Sequence, residues 1–445
     1  MKLVFLMLFA ALVVASVGVW LGQPNLAPAG QTPLVWATDD NPLRAGQIQL
    51  FDREHPKVDL ILDSDDSDIE KVIVQSIAGV GPDLFDCRDA DQLSAFVRAG
   101  IAWDVTDELK SRGIDVTEDC WKAMLPLATY EGRVYGVPTN CAVDALWFNK
   151  KVFDQEGVPY PKGPLTWEQL IPLARRMTRR GPDGRIERFG LMCEWWYWPD
   201  VLASYGGSVF SADGTRCTID SPQAIAAFTM LHDLIYKEHV MPSPTQEAGL
   251  ATQGGWGSGS MTLFAAGRCA MAIGGRWWLA NLSQTPGLRL GVVESPMGTV
   301  RGSAALGRAT IINKNSPRRE LALKFLEYLA SPEYNHLVNE QADGLAAFKR
   351  YASDPSLLSA GNPDRANNEV WLEATAYAVP SFNSAYVNGY VATDLINKQL
   401  DLIRIDAKPV ADALHEAADQ VNAAMQANLA LDPALKRRWA AARAH

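Results

Sequence analysis

Two short clusters of tryptophan are the clearest candidates for a ligand-binding surface. Residues 195–198 have the sequence Trp-Trp-Tyr-Trp, and residues 277–278 are a Trp-Trp pair that follows Gly-Gly-Arg. Neighbouring side chains point to opposite faces of a strand and spread around a helix, so adjacent large rings cannot all enter one core. Some of these rings are therefore expected on a surface or in a cleft, where an indole face suits a pyranose ring whose hydroxyls bond to polar side chains. The alternative for each single ring is burial in a core or an interface.

Sequence motifs of enzymes are missing from the chain. It has no phosphate-binding P-loop, no Gly-x-Gly-x-x-Gly before a helix, no His-Glu-x-x-His and no Gly-x-Ser-x-Gly. The six histidines are scattered, and the cysteines lack the paired spacing of a zinc site. We therefore expect no enzyme, no cofactor and no metal. An exported carbohydrate-active enzyme stays open as a second class, because a sequence cannot show whether two carboxylates face each other across a glycosidic bond.

Composition and charge are typical of a folded protein with more than one compact unit. The chain has 445 residues, 48% hydrophobic and 21% charged, with a net charge of −10. The acidic balance argues against a nucleic-acid partner and is compatible with a neutral or cationic ligand. The six cysteines are expected mostly as small buried residues.

The N-terminal segment is typical of a targeting sequence. Lys2 precedes an apolar stretch at 3–21, and small residues at 27 and 29 fit a signal-peptidase site. The apolar stretch is nearly long enough to span a bilayer, so residues 1–29 are predicted as a signal peptide or an uncleaved anchor. Either alternative places the following residues outside the cytoplasm, in the periplasm or tethered to the outer face of the cytoplasmic membrane.

Strands and helices alternate through the first hundred residues. Strands are predicted at 33–37, 58–62 and 81–85, with a helix at 69–78 between the last two. This alternation predicts an α/β lobe with a parallel sheet, whose ligand lies at the carboxyl ends of the strands. The turns at 38–41 and 86–91 are therefore expected on the same rim.

Further along the chain, local sequence signals predict three helix starts and one loop. Thr166 and Gln169 have the spacing of a capping box, and Ser-Pro pairs at 221–222 and 316–317 place proline at a first helical position. The segment 248–260 is rich in Gly, Ser and Thr and is predicted to be a mobile loop.

Several stretches together resemble the extracellular solute-binding proteins of sugar ABC importers, of the maltodextrin-binding, family 1 type. The resemblance runs over residues 34–422, and its motifs are specific to the family in their order and spacing but not to one ligand. They are Gly-Val-Gly-Pro-Asp-Leu-Phe at 79–85 with Ala-Gly at 99–100, Tyr-Gly-Val-Pro at 135–138, Leu-Trp-Phe-Asn-Lys-Lys-Val-Phe at 146–153, Leu-Thr-Trp-Glu at 165–168, the run at 264–277, and the run at 320–333.

The resemblance implies an α/β two-lobe periplasmic-binding-protein fold of type II. The ligand would lie in a cleft between lobes that are joined by hinge crossovers and close around it. After the leader at 1–29, residues 31–140 plus 302–348 would form the N-terminal lobe. Residues 141–301 plus 349–445 would form the C-terminal lobe.

The resemblance also implies a set of ligand-binding residues. The aromatic candidates are Trp195, Trp277, Trp278, Phe382 and Tyr386, with Trp195 and Trp277 expected to stack on the ligand. The polar candidates are Thr38, Asp40, Asn41, Arg44, Arg88, Asp89, Asp91, Asn140, Asp144 and Arg308. For each acidic loop residue the alternative is helix capping. An arginine at 308 departs from the family pattern, and pairing with a structural acid is the favoured alternative there.

By this resemblance the chain would be the substrate-binding component of an ABC importer. It would bind a mono- or oligosaccharide and deliver it to a membrane permease, as a monomer with no nucleic-acid partner. Another small solute, such as a polyamine or a phosphodiester, stays open within the same fold. A sensor or adaptor that binds sugar for a signalling partner stays open as well.

Overall fold

The computed structural model describes residues 28–64, 68–250, 259–354, 366–380 and 382–444. Most of the predicted leader and residues 251–258 of the predicted mobile loop lie outside the described residues. The two ends of that predicted loop are helical, because one helix covers Pro244–Leu250 and the next covers Ser260–Ala265.

The first sheet contains the strands that alternate with helices at the start of the chain. Its spatial order is Val58–Asp63, Thr32–Ala37, Leu84–Cys87, Leu306–Ile312 and Gly136–Ala142. Thr32–Ala37 pairs in parallel with both neighbours, but Leu306–Ile312 pairs antiparallel with both of its own. The predicted parallel sheet is therefore correct for the first three strands and wrong for the inserted strand, which returns from later in the chain in the opposite direction.

The core of this N-terminal lobe forms around aromatic rings. Trp36 lies 5.0 Å from Phe325, and Phe51 contacts Phe325 and Tyr328 at centroid distances of 5.1 and 5.3 Å. These residues come from a strand and from helices on either side of the chain's excursion into the second lobe. The lobe therefore depends on segments far apart in sequence.

The second sheet lies in the C-terminal lobe. Its order is Leu290–Glu294, Asp144–Asn149, Cys269–Gly275, Ile186–Met192 and Arg179–Arg180. The helix Val410–Leu431 packs against both Pro222–Tyr236 and Gly389–Arg404, and its buried residues join the core of this lobe.

The chain crosses between the sheets at defined points. It passes from the first sheet to the second between Ala142 and Asp144, and it returns between Glu294 and Leu306. Beside the second crossing, Ser303–Ala304 pairs in parallel with Ala378–Val379. The two-lobe α/β architecture predicted from the sequence is confirmed.

The other elements are short or lie on the faces of the two sheets. The remaining helices are Arg44–Glu54, Ile69–Ile77, Ala90–Arg98, Thr106–Ser111, Val116–Asp119, Leu125–Ala128, Lys150–Glu156, Trp167–Met177, Trp198–Ser204, Leu279–Leu282, Arg319–Leu329, Pro332–Gln341, Lys349–Ala352, Ala366–Ala376 and Pro433–Ala442; 3-10 turns cover Lys122–Met124, Trp195–Tyr197 and Arg276–Trp278; and a small hairpin pairs Thr129–Tyr130 with Arg133–Val134.

Two of the three predicted helix starts are confirmed. Thr166 and Gln169 form a reciprocal capping box, and Ser221 caps the helix that begins at Pro222. The start predicted at Ser316 is wrong, because the helix begins only at Arg319. The Ser316 hydroxyl instead donates to the buried Asp83 carboxylate at 2.5 Å, and it accepts from the backbone N–H of Arg318.

The six cysteines all fall within the described residues and are buried and unpaired, as expected. In the part of the chain that the structure describes, no helix combines the length and apolar character required to cross a membrane.

Candidate functional site

A cavity of about 640 Å³ lies between the two lobes. Asp89 and Asp91 line it from the N-terminal lobe, and residues 304–306 of the second crossing also reach it. The C-terminal lobe contributes aromatic rings, which are Trp195, Trp196, Trp198, Phe210, Phe382 and Tyr390. This volume falls within the range of pockets that hold small molecules.

A tight turn presents the first tryptophan cluster to this cavity. The chain leaves the strand Ile186–Met192, makes one 3-10 turn at Trp195–Tyr197 and enters the helix Trp198–Ser204 at once. Successive side chains of such a turn point in different directions, as expected for a run of adjacent rings.

The four rings of the cluster differ in how far they are exposed. Tyr197 and Trp198 are buried, whereas Trp196 is 48% exposed. Trp195 is half-buried and lines the cavity. Its indole Nε1 is buried and has no hydrogen-bond partner among the described residues. Trp195 is therefore a half-buried ring of this cluster that is accessible from the cavity.

Phe382 extends the aromatic wall. Its ring is nearly parallel to that of Trp198, with 11° between the planes and 6.3 Å between the centroids. Both side chains line the cavity, and Phe382 is one of the residues predicted to contact the ligand.

Asp89 and Asp91 form an acidic wall opposite the aromatic rings. Asp89 caps the helix Ala90–Arg98 and accepts from the backbone N–H of Gln92 at 2.8 Å. Burial raises the pKa of the Asp89 carboxyl. Burial, followed by repulsion from Asp89, raises the pKa of Asp91 to about 7. The short segment that contains Asp89 and Asp91 thus both caps a helix and lines the cavity.

The two lobes touch beside this acidic wall. The side-chain amide of Gln92 donates to the Tyr390 hydroxyl, and that hydroxyl lies 3.5 Å from a carboxylate oxygen of Asp89. The Asp91 carboxylate accepts from the backbone N–H of Gly389. Gly389 has no room for a side chain, because a Cβ there would collide with the Asp91 carboxylate.

Two further carboxylates line the cavity, and each forms hydrogen bonds or an ion pair within the C-terminal lobe. Glu194 accepts from the backbone N–H of Ser260 at 2.7 Å and from the indole N–H of Trp196. Glu247 pairs with Arg404 at 2.7 Å. These bonds fix the side chains on the C-terminal side of the cavity.

Arg44 and Arg308 are held in a buried ionic network. Arg44 donates to Asp39 at 2.8 Å and to Asp343 at 2.6 Å, and Arg308 pairs with Asp39, with Asp86 at 3.4 Å and with Asp343 at 3.3 Å. Burial lowers the pKa of Arg44, but Asp343 and Asp39 outweigh burial and hold that pKa above its ordinary value. Both arginines therefore stabilise the N-terminal lobe, which matches the structural alternative favoured for Arg308.

Thr38 and Asn41 belong to the same buried layer. The Thr38 hydroxyl donates to Asp86 at 2.5 Å, and the Asn41 side chain accepts from the backbone N–H of Leu43 at 3.0 Å. Asp86 also accepts from Trp36 and from Thr310, and burial nevertheless raises the pKa of its carboxyl to about 6.

The remaining polar candidates are divided between surface and interior. Asp40 and Arg88 are exposed. Asn140 is buried, donates to the backbone oxygen of Asp343 at 2.8 Å and accepts from the backbone N–H of Arg308 at 3.2 Å. None of these three side chains is part of the lining described for the cavity.

Asp144 lies in the first crossing and forms a carboxyl pair with Asp200. Asp144 is fully buried, and neither of its carboxyl oxygens has a hydrogen-bond donor among the described residues. Asp200 accepts from the Ser303 hydroxyl at 2.7 Å and from the backbone N–H of Ala304 at 2.8 Å. Burial, followed by the charge of Asp200, raises the pKa of Asp144 well above its ordinary value, so a protonated Asp144 donates to Asp200. The pair joins both crossings rather than the cavity wall.

The second tryptophan cluster and Tyr386 lie in the C-terminal lobe. Trp278 is buried near Phe264, with 6.4 Å between the ring centroids. Trp277 is half-buried against the same hydrophobic cluster. Tyr386 is buried in the core, and its backbone oxygen accepts from Asn428. The structure brings Trp195, Phe382, Asp89 and Asp91 together and leaves these three rings outside the described cavity.

Sequence reasoning missed many side chains of the cavity, among them Glu194, Tyr390 and Arg404. Glu194 directly precedes the tryptophan cluster, and its position beside Trp195 was a usable signal. Tyr390 and Arg404 belong to the helix Gly389–Arg404, whose sequence does not indicate which face meets the other lobe.

Comparison with known proteins, by sequence and by structure, finds similarity to binding proteins. A family model described as bacterial extracellular solute-binding protein matches residues 36–336. An ABC substrate-binding protein from Listeria monocytogenes, solved in complex with cycloalternan, superposes with a TM-score of 0.76 at 22% identity, covering 89% of this chain and 99% of that one. A binding protein of Brucella abortus is 26% identical over 301 residues, which are 64% of this chain and 68% of the relative. The sn-glycerol-3-phosphate-binding periplasmic protein of Agrobacterium fabrum is 23% identical over 242 residues, 50% of this chain and 51% of the relative.

Proposed function

Because the chain belongs to the family of bacterial extracellular solute-binding proteins, we propose that it is the receptor of an ABC importer for a carbohydrate. The solute would be a mono- or oligosaccharide that binds in the cavity between the lobes. The protein would act as an exported monomer and deliver the sugar to a membrane permease without transforming it. The proposal also places the boundaries between the two lobes at 140/141, 301/302 and 348/349.

The observation that carries the proposal is the position of Trp195 in the interlobe cavity. A half-buried indole offers a flat apolar face to the C–H face of a sugar ring. The carboxylates of Asp89, Asp91 and Glu194 line the same cavity and can accept hydrogen bonds from the hydroxyls at the ring's edge. A platform surrounded by acceptors suits a polyol better than a purely apolar ligand.

The polar groups would provide selectivity and the platform would provide affinity. A buried carboxylate that loses its hydroxyl partner is costly, so analogues that lack a hydroxyl are rejected. A ligand that contacts both lobes favours the closed arrangement over an open one. A permease that recognises the closed arrangement would then receive only loaded receptor.

The cycloalternan complex of the Listeria monocytogenes protein supports a sugar as the ligand class. That protein shares the fold of this chain over nearly its whole length. The bound cycloalternan is a property of that neighbour. The proposal that this chain binds a sugar therefore depends on the cavity described above.

Isothermal titration calorimetry of the purified protein tests the proposal. The panel would contain glucose, maltose, maltotriose and arabino-oligosaccharides, with putrescine and glycerol 3-phosphate as non-sugar solutes. Saturable binding of one sugar per chain, with no breakdown of the sugar, is the expected result. Binding of a non-sugar solute while every sugar fails would contradict the proposal, and release of a smaller product from a bound sugar would favour an enzyme.

A further inference from the structure

The cavity wall carries many more negative than positive side chains. Its described lining includes five carboxylates, Asp89, Asp91, Glu194, Glu247 and Asp401, but a single guanidinium. Asp89 and Asp91 are half-buried in this wall, and charges at partly buried positions are less screened by water than charges on an open surface, so they affect a ligand more strongly.

The guanidinium of the lining already forms an ion pair within the protein. It belongs to Arg404, which pairs with Glu247 at 2.7 Å while both side chains are about one-third exposed or less. No other arginine or lysine is among the described residues of the lining. The other four carboxylates therefore share the cavity without a cation in its wall.

Burial raises the pKa of the Asp89 and Asp91 carboxyls, and the charge of Asp89 raises that of Asp91 further. The groups that face Asp91 are Asp89 and Arg98 from its own lobe and the backbone N–H of Gly389 from the other, and Tyr390 and Arg88 face Asp89. Arg88 and Arg98 are exposed side chains outside the described lining, so water screens their charge. With a pKa of about 7, Asp91 is half-protonated at neutral pH.

We infer that the solute is a cationic carbohydrate, an amino sugar whose ring lies against Trp195 and whose ammonium group binds at the Asp89–Asp91 wall. This inference rests on the proposed function and narrows its ligand class. The aromatic platform accounts for a ring in the ligand, and the four carboxylates of the lining that pair with no cation of the lining account for a positive charge on it. A simple polyamine would use the carboxylates but would leave the flat platform without a matching face.

The same wall disfavours an anionic solute. A phosphate ester binds most strongly to arginine, lysine or a helix N-terminus. Here the guanidinium of the lining is paired, and the helix Ala90–Arg98 presents the carboxylates of Asp89 and Asp91 at its N-terminus. The ligand named for the glycerol-phosphate-binding relative is therefore not expected to bind this chain.

Matched neutral and cationic sugars test the inference by calorimetry on the purified protein. Glucosamine and its β-1,4-linked oligomers would be compared with N-acetylglucosamine and its oligomers, which keep the ring and lose the charge. We expect the amino sugar to bind at least about tenfold more tightly. Repeating the titration at pH 6.5 in two buffers of different ionisation enthalpy should reveal proton release, because a bound cation lowers the pKa of Asp91.

Two variants separate a direct role from a structural one. Asp91→Asn keeps the shape of the side chain, so it should abolish the proton release and reduce the preference for the amino sugar at least about tenfold. The matched control is Asp183→Asn, whose side chain is 61% exposed on a distant loop, and it should keep both properties. Proton release that persists in Asp91→Asn would overturn the assignment of the ammonium to this wall.

The outcomes also separate the inference from the proposed function. Binding of the N-acetylated sugars as tightly as the amino sugars would overturn the inference and leave the carbohydrate proposal standing. Binding of putrescine while both kinds of sugar fail would overturn both. Failure of every ligand in both panels would likewise count against both, because the amino sugars and the neutral sugars together cover the proposed class.

Discussion

The side chain of Gln92 in the N-terminal lobe donates a hydrogen bond to the phenol of Tyr390 in the C-terminal lobe. The contact lies beside the cavity, whose lining includes Tyr390 and its neighbour Gly389. Asp91 accepts from the Gly389 backbone at the same place. Residues that line the cavity thus also join the two lobes, so we expect lobe closure to be coupled to the proposed ligand binding.

Replacing Gly389 by alanine should weaken that closure. The new Cβ would collide with the Asp91 carboxylate, so that side chain must turn away from Gly389 or the two segments must separate, and either change weakens the contact between the lobes. We expect a larger radius of gyration by small-angle X-ray scattering in the presence of ligand, and about tenfold weaker binding. Gly249→Ala is the control, since a Cβ there meets nothing within 4 Å. Unchanged scattering and affinity in Gly389→Ala would show that this contact does not contribute to closure.

The Asp144–Asp200 pair should make stability depend on pH. Burial raises the pKa of both carboxyls, to about 6 for Asp200 and further for Asp144, so the folded protein keeps protons that the unfolded chain loses near its ordinary pKa of about 4. The stabilisation is therefore complete at low pH, and it is lost as the pH rises from about 4, through about 6 for Asp200 and at higher pH for Asp144.

Asp144→Asn tests this pair directly, because its amide can donate to Asp200 at any pH. At pH 8 the variant should be more stable than the original chain by roughly 2 kcal/mol in urea unfolding, and at pH 4 the difference should nearly vanish. A difference that is the same at both values would contradict the shared proton.

The arginine network of the N-terminal lobe should be structural. Arg44→Met removes the buried cation that pairs with Asp39 and Asp343, and it should cost about 3–5 kcal/mol in unfolding free energy. Arg185→Met is the control, because Arg185 is 88% exposed and makes one long ion pair, so its loss should cost less than about 1 kcal/mol. An Arg44→Met variant that folds with normal stability but loses affinity would instead favour a role for Arg44 in ligand binding.

Local sequence signals predicted those parts of the fold that local physics decides. The capping box at Thr166 depends on residues three positions apart, and it is present in the structure. The helix start at Ser316 failed because the Ser316 hydroxyl bonds to Asp83, which lies more than two hundred residues earlier in the chain. A contact of that kind leaves no trace in the neighbouring sequence.

The residues of the candidate site also divide into those that local sequence signals predict and those that depend on distant contacts. Asp91 lies in the turn that the alternating pattern places on the ligand rim, and Trp195 belongs to the tryptophan cluster predicted to reach a cleft; both reach the cavity. Trp277 also belongs to a tryptophan cluster but packs against a hydrophobic cluster that contains residues of both lobes, because the small residues before it let the ring fold back over Gly275. Tyr390 reaches the cavity through the relative placement of two lobes, which the periodicity of one helix cannot predict.

The measurement that tests the central claim most directly is the affinity of Trp195→Ala for the sugar identified by calorimetry, with Trp277→Ala as its matched control. If the interlobe cavity binds the sugar on Trp195, Trp195→Ala should weaken binding by at least about tenfold, and Trp277→Ala should change it less than about threefold. Circular dichroism would confirm that both variants are folded. Normal affinity in Trp195→Ala together with a loss in Trp277→Ala would contradict the account and move the platform to the second tryptophan cluster.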